Sequence, residues 1–506
     1  MVHKNNNIIL QKNQNDQRRA VKKHNKGILT SPTGTGKTYP MAFTASDAIK
    51  EGTNIVMVKF PRISLVTQQV GSFTQIFNQE LLSYQQPYQI MIHSGNDKEF
   101  IDYESLAEEL GNGKISIKEY KKIEANRLKE TCGLANIEAI SSFQEACIKI
   151  NAQPKGKPIV VYTTYHSNQK SVDILETCDL EVELDLNDEA QYLVQENFFK
   201  CIENYSPPRQ YFWTATLKSQ VESWVKEETG RGMKNKLIFG DIIYSMSIIN
   251  AIKDNLIVPM IKSWVSIGNT TISESDLNKN TYQIVDKTFR DLDNKFELGG
   301  KLLVAVGKKI QLRNLIKKSK HFADKGIGLL TVHSDRNLVT YNGNIITREK
   351  FESLKDDLGK DENTKLIIAH YDILSEGIDI QGMLGVLILR NMSESKFLQT
   401  IGRACRVYRP NPELKKFGMV YFPNLDVDLT NNFEELIRKM RQEGYIPIEQ
   451  FTPINRSGDS SDTPPSEEEG IARRIDLNIQ LQLEAEDRIK SLFNKVSKVV
   501  DYSLFG

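Results

Sequence analysis

Short apolar runs recur along the first half of the chain, each followed by a stretch in which apolar residues return at helical spacing. The runs Gly27–Thr30, Asn54–Phe60, Tyr88–His93, Pro158–Tyr162, Val182–Leu186 and Tyr211–Trp213 have the length of buried strands. Strands alternating with helical segments predict βαβ units and a parallel sheet. A second unit of the same kind is expected from about Lys236 to Leu425, with apolar runs at Lys301–Val306, Gly328–Val332, Lys365–Ala369 and Val386–Leu389. Between Asn96 and Lys157 the pattern turns Lys/Glu-rich and helical, which predicts a helical insertion over about 97–156. One expected strand breaks the rule for its class. Around Val182–Leu186, Glu181, Glu183, Asp185 and Asn187 alternate with apolar residues, whereas a strand covered on both faces should be more continuously apolar.

Further on, Ser457–Gly470 is acidic and rich in Ser and Pro, the composition of a flexible linker. After it, Ile475, Leu477, Ile479, Leu481 and Leu483 alternate at strand period, and Ile489, Leu492, Phe493, Val496 and Val500 follow helical spacing. The expected division is therefore 1–235, 236–440 and 441–506, the last being a linker and a C-terminal appendage. A length of 506 residues agrees with it, being room for about three to five domains.

Composition removes several function classes. With 66 Lys and Arg against 65 Asp and Glu, the net charge is +1, so a polyanionic partner must be held by local patches. The cysteines Cys132, Cys147, Cys178, Cys201 and Cys405 are odd in number and none forms a C-x-x-C pair, which argues against a disulfide framework or a cysteine zinc site. No apolar run is long enough to span a bilayer, and the Asn/Gln/Lys-rich start lacks the apolar stretch of a secretory signal. A cytoplasmic protein with reduced thiols and no membrane partner is expected.

Chemistry enters at Ser31-Pro32-Thr33-Gly34-Thr35-Gly36-Lys37-Thr38, which lies between an expected strand and a helical stretch. Glycines there let backbone N–H groups converge on phosphates at a helix N-terminus, Lys37 would neutralise phosphate charge, and the Thr38 hydroxyl would reach Mg²⁺. Asp188-Glu189-Ala190-Gln191 closes the expected strand Val182–Leu186. A carboxylate at the C-terminal end of a strand in such a sheet is where a second metal handle belongs. Asp188 would hold the metal and Glu189 would polarise the attacking water.

From these two motifs onward the chain resembles a superfamily 2 helicase or translocase over roughly Gln17–Pro423. In order, Pro61-Arg62 with Ser64–Gln68 resembles motif Ia, and Thr163-Thr164-Tyr165-His166-Ser167 resembles motif Ib. Thr214-Ala215-Thr216 stands where the family usually has Ser-Ala-Thr (motif III), and Ser375-Glu376-Gly377-Ile378-Asp379 is similar to motif V. Gln399-Thr400-Ile401-Gly402-Arg403-Ala404-Cys405-Arg406 fits motif VI, Q-x-x-G-R-x-x-R. The passage from Tyr244 to Pro259 resembles the restriction-type branch, whose members track mostly on DNA. The fold class implied is α/β, two tandem RecA-type domains with parallel sheets.

The resemblance implies further roles. Arg403 and Arg406, in the second domain, would meet ATP on domain closure, and arginine's fixed fork and permanent charge suit a finger on the transferring phosphoryl group. Gly377 and Asp379 would approach the nucleotide. Gln17 is the candidate for reading adenine, with Gln11 and Gln14 as competitors. Thr214, Thr216 and Gln399 would couple nucleotide state to nucleic acid, and Arg62, Ser64, Thr163 and Thr164 would position its phosphates. Two departures stand out. Gln191 replaces the more frequent His or Asp, although an amide still donates and accepts, and Ala369-His370 stands where motif V often begins with Thr. The basic stretch Lys308, Lys309, Arg313, Lys317, Lys318 and Lys320 reads equally as a phosphate track or as a solvated helix face.

The expected activity is ATP- and Mg²⁺-dependent movement along nucleic acid, DNA favoured over RNA. The competing expectations are a nucleic-acid-gated ATPase switch or motor subunit within a larger complex, or an RNA helicase. The insertion and the appendage are possible docking surfaces for protein partners.

Overall fold

The computed structural model describes residues 7–94, 137–203, 205–218, 230–265, 273–333, 335–371, 380, 382–390, 392, 394–423 and 448–450. Contacts divide the chain into two units, Met1–Met246 and Ser247–Gly506.

The first unit is an eight-stranded sheet flanked by helices, in the order β4-β3-β5-β2-β6-β7-β1-β8. Its strands are β1 (Lys26–Thr30), β2 (Ile55–Phe60), β3 (Tyr88–Ile92), β4 (Glu138–Ile140), β5 (Ile159–Thr164), β6 (Leu184–Asn187), β7 (Arg209–Thr214) and β8 (Asp241–Ser245). Every pairing is parallel. The helices that concern the site are α1 (Lys12–Val21), α2 (Thr38–Lys50), α3 (Ile63–Glu80), α4 (Phe143–Asn151), α5 (Asn168–Thr177) and α6 (Glu196–Glu203). In such a sheet the strand ends that bear ligands share one edge, and here Thr30, Phe60, Thr164, Asn187 and Thr214 end there.

Side chains alternate between the faces of each strand, and the core divides accordingly. Val56, Val58, Val160, Tyr162, Leu184, Leu186, Tyr211 and Trp213 pack in one cluster with residues of α2 and α3. On the alternate positions Ile55, Met57, Ile159 and Val161 form a second cluster, and Ile28 and Phe212 a third with Phe198, Phe199 and Ile202. β2 is buried along its whole length, as a central parallel strand should be. The acidic alternation around β6 has a local answer. Glu183 accepts the Asn54 N–H at its Oε1, while Asp185 and Asn187 are fully buried and meet polar partners on neighbouring strands.

The second unit carries a nine-stranded sheet, β13-β12-β11-β14-β10-β15-β16-β9-β17. Its strands are β9 (Met260–Val265), β10 (Lys301–Ala305), β11 (Ile327–Val332), β12 (Thr340–Tyr341), β13 (Asn344–Ile345), β14 (Lys365–His370), β15 (Gly385–Ile388), β16 (Gly418–Pro423) and β17 (Ile448–Gln450). All pairings are parallel except the antiparallel β11-β12-β13 edge. The two-sheet α/β architecture is thus the one expected.

Three expectations need correction. The first unit continues past residue 235, because β8 pairs with β1 and brings the boundary to Met246. Part of the expected insertion over 97–156 belongs to the sheet layer: β4 extends the sheet beside β3, and α4 packs against that edge. Residues 95–136 lie outside the described residues, as do the linker and the C-terminal strand and helix expected after 457. Thirdly, β4, β8, β9, β12, β13, β16 and β17 were not among the expected strands although all belong to the sheets. Among the described residues no helix is long and apolar enough to cross a membrane.

Candidate active site

The loop between β1 and α2 turns on two glycines in left-handed conformations, Gly34 at φ 93° and Gly36 at φ 77°. Its oxygens and amides are tied inward at several points. The Ser31 N–H donates to the Thr214 carbonyl at 3.1 Å, and the Thr35 hydroxyl donates to the Pro32 carbonyl at 2.8 Å. Lys37, nearly buried, donates from Nζ to the Ser31 carbonyl at 3.4 Å. No side chain caps the start of α2, so its first-turn N–H groups face the loop without a protein acceptor of that kind.

Helix α1 supports the loop from outside. Asn13 Nδ2 donates to the Thr35 carbonyl at 3.3 Å and Gln14 Nε2 to the Gly36 carbonyl at 3.0 Å. A Cβ on Gly36 would lie 2.5 Å from that Gln14 nitrogen and would push the amide aside, while the positive φ by itself favours glycine. Gln17 sits one turn deeper and is fully enclosed: its Oε1 accepts from Trp213 Nε1 at 3.0 Å. The structure therefore puts Gln14 against the loop and Gln17 in the core beneath it. Asn13 escaped the sequence reading, which had no cue to separate it from the other amides of an Asn/Gln-rich start.

At the end of β6, Asp188 and Glu189 stand together. Burial raises the Asp188 carboxyl to about 7, the neighbouring Glu189 charge adds to the rise, and Lys37 opposes it. The Glu189 N–H donates to Asp188 Oδ1 at 3.0 Å. Glu189 adopts φ 50°, a left-handed conformation that costs a non-glycine residue about 1–2 kcal/mol. From there a chain of hydrogen bonds leads to β7. Gln191 Nε2 donates to Glu189 Oε2 at 2.7 Å, and the Thr214 hydroxyl donates to Gln191 Oε1 at 2.6 Å. The Thr216 N–H in turn donates to Thr214 Oγ1 at 3.1 Å. Gln191 accordingly uses both ends of its amide, which a His at the same place does through two ring nitrogens.

This donor set fits the expected ligands. The buried Asp188 carboxyl in the field of Lys37, with Glu189 next to it, and the Thr38 hydroxyl at the start of α2 offer the hard oxygen ligands that Mg²⁺ prefers. The glycine turns and the uncapped helix start offer N–H groups to phosphate. Thr33 and Gly34 belong to the same turn.

Other predicted residues fall elsewhere. Arg62 is the half-buried residue preceding α3. Thr163 and Thr164 are fully buried and internally bonded: the Thr163 hydroxyl donates to the Ile92 carbonyl at 3.1 Å and accepts from the Ser171 hydroxyl at 2.9 Å, while Thr164 Oγ1 donates to Ser167 Oγ at 3.2 Å. Gln399 and Arg403 are buried on the helix Glu394–Ala404, and Arg406 follows it with its carbonyl held by Lys415 Nζ. Lys308, Lys309, Arg313, Lys317, Lys318 and Lys320 are all exposed. Gly377, Asp379 and the Ser64 side chain lie outside the described residues.

Comparison with known proteins bears on this geometry. Residues 5–219, which contain the loop, the carboxylate pair and Thr214, match the family described as the res subunit of Type III restriction enzymes. Over those residues the chain is similar to superfamily 2 helicases of the restriction-type branch, the family its motifs resemble. Among solved structures it is similar to the ATP-dependent Type ISP restriction-modification enzyme LlaBIII bound to DNA, with a TM-score of 0.59 and 17% identity over 86% of this chain and 30% of that one. It is also similar to a nuclease-deletion mutant of the Type ISP enzyme LlaGI in complex with a DNA substrate mimic, with a TM-score of 0.55 and 15% identity over 86% and 29% of the two chains. A third likeness, to Mss116p bound to ssRNA and AMP-PNP, has a TM-score of 0.50 and 14% identity over 87% of this chain and 77% of that one. No curated protein sequence matches. The chain spans under a third of the two restriction enzymes it resembles, and at such identities the likeness establishes its fold.

Proposed function

We propose that this chain is an ATP-driven nucleic-acid motor that acts on DNA in preference to RNA. The observation that carries the reading is the convergence, at one sheet edge, of the glycine loop with Lys37, the Asp188–Glu189 pair and the Gln191–Thr214 chain that holds Glu189. Support for DNA comes from the two restriction enzymes, both solved with DNA or a mimic of it.

In this reading the loop N–H groups of Thr33–Thr38 and Lys37 bind the phosphates, and Thr38 and Asp188 hold Mg²⁺. The metal supplies neutralisation of phosphate charge. Glu189, held by Gln191, orients water and takes up its proton at a carboxylate oxygen. Arg403 and Arg406 are the arginines assigned to the transferring phosphoryl group, and Gly377 and Asp379 the further nucleotide contacts. Phosphoryl transfer of this kind depends on position and charge, not on covalent chemistry by the protein. Thr214, Thr216 and Gln399 are assigned to coupling, and Arg62 and Ser64 to nucleic-acid phosphates.

The test is steady-state ATP hydrolysis by the purified chain without polymer and with single-stranded DNA, double-stranded DNA or RNA, using Lys37→Ala as control. Stimulation by DNA, lost in Lys37→Ala, is expected. Hydrolysis that persists in Lys37→Ala, or none under any condition, overturns the reading.

A further inference from the structure

The acidic alternation around β6 leads to Asp185. Its side chain is completely enclosed, as is that of Lys59 on β2, and Lys59 Nζ stands 3.0 Å from Oδ1 and 3.2 Å from Oδ2. Oδ2 also accepts from Asn187 Nδ2 at 2.9 Å and from Gln210 Nε2 at 2.9 Å. The Tyr205 ring covers the ammonium, with its centroid 4.3 Å from Nζ. One carboxylate thus gathers donors from β2, β6 and β7, which are neighbours in the sheet.

Those three strands end in groups assigned above to nucleic-acid contact, to hydrolysis and to coupling. β2 runs out into Pro61-Arg62, β6 into Asp188-Glu189, and β7 in Thr214. The backbone joins two of them just above the cluster, where the Asp188 N–H donates to the Lys59 carbonyl at 2.9 Å.

A buried ion pair is a poor source of stability. Desolvating both charges offsets their attraction, and an apolar pair of the same volume is often as stable. Apolar contacts, however, tolerate sliding and rotation, whereas hydrogen bonds to a charged oxygen are directional and strong in a dry interior. The backbone ladder fixes register in whole residues. The finer offset and twist between strands are left to side chains, and Asp185 is the place where three strands are fixed to one point.

We propose that Asp185 is a positioning residue for this site. Held by Lys59, Asn187 and Gln210, its carboxylate sets the mutual placement of the strand ends bearing Arg62, Glu189 and Thr214, so that the Glu189–Gln191–Thr214 chain closes. Its kinetic consequence rests on the ATPase reading above; its structural consequence does not.

Two variants of the full chain test it. Lys59→Met with Asp185→Leu removes both charges together and keeps the volume. Gln210→Met leaves the ion pair and cuts only the tie to β7. Hydrogen–deuterium exchange at amides 187–192 and 212–217 is measured alongside ATP hydrolysis with and without single-stranded DNA. In both variants exchange at those amides is expected to quicken by about tenfold or more, while β3 and β5 keep their protection. The DNA-stimulated kcat is expected to fall by about 10- to 100-fold with KM for ATP within about twofold. Unchanged exchange in folded Gln210→Met overturns the proposal and leaves the cluster a structural one, as does unchanged kcat in a chain that hydrolyses ATP. If the double variant does not fold, Gln210→Met decides alone. A wild-type chain that hydrolyses no ATP overturns the functional reading, and exchange then decides the positioning.

Discussion

The Thr214 hydroxyl and the Gln191 side-chain carbonyl meet at 2.6 Å, joining the end of β7 to the turn that carries Glu189. Because Gln191 spends its other end on Glu189 Oε2, any displacement of Thr214 is passed to the carboxylate assigned to water. Gln191→Leu is therefore expected to lower kcat by about 100-fold with little change in KM for ATP, since it leaves phosphate binding intact and misplaces only the base. Thr214→Val removes the same bond from the far side. Its effect is expected not to add to that of Gln191→Leu, with a coupling of about 0.5–3 kcal/mol in a double-mutant cycle on kcat. Strict additivity would separate the two residues.

Gly36 carries two constraints at once, a φ of 77° and a Gln14 nitrogen 2.5 Å from any added Cβ. Gly36→Ala is expected to abolish detectable binding of a fluorescent ATP analogue while the chain stays folded by circular dichroism. Adding Gln14→Ala removes the clash but not the backbone strain of about 1–2 kcal/mol, so only partial recovery is expected. Full recovery would make the clash the whole cause.

Much of this was legible in the chain, and what was not has physical causes. The glycine loop and the Asp188–Glu189 pair announce themselves because their chemistry is contiguous. Central strands such as β2 and β5 are long apolar runs. β8 is an edge strand with exposed Asp241, Ile242 and Ser245, so its apolar signal is weak. The Lys59–Asp185 contact spans 126 residues, and nothing local in the sequence ties the β2 lysine to the β6 carboxylate. Gln14 and Gln17 lie one turn apart on α1, so spacing could not decide which touches the loop and which lies under Trp213. Thr163 and Thr164 looked like phosphate contacts because of their motif, and only the fold shows Ser171 and Ser167 occupying their hydroxyls.

Stability of the first unit is expected to depend on acid through Asp47. On α2, its Oδ2 accepts from Arg18 Nε of α1 at 2.6 Å, and Lys22 Nζ lies 3.2 Å from the same oxygen. Burial alone would raise this carboxyl, but Arg18 and Lys22 outweigh it and hold the value below the usual range. A depressed folded value means the contribution is present above the unfolded value of about 3.9 and is lost as pH falls below it. Asp47→Asn is expected to lose about 1–3 kcal/mol at neutral pH. Its melting temperature should also fall less steeply than that of the wild type between about pH 4 and pH 2. Parallel curves would show that the pair contributes nothing to the acid response.

Salt dependence separates the residues assigned to nucleic acid. Arg62 precedes α3 at the ligand-bearing edge of the sheet, half-buried, whereas the Thr163 hydroxyl is enclosed and bonded to Ile92 and Ser171. Each phosphate contact releases condensed counterions and steepens the fall of affinity with salt. Arg62→Ala is therefore expected to weaken binding to single-stranded DNA and to reduce the slope of log K against log salt by about one. Thr163→Val removes no charge and takes the hydroxyl donor from the Ile92 carbonyl, while the Ser171 hydroxyl keeps the Ser167 carbonyl. It is expected to cost about 1–3 kcal/mol of stability and to leave the slope as it is. Binding isotherms at several salt concentrations decide between the two: a slope that changes in Thr163→Val but not in Arg62→Ala would move the phosphate track from the start of α3 to the end of β5.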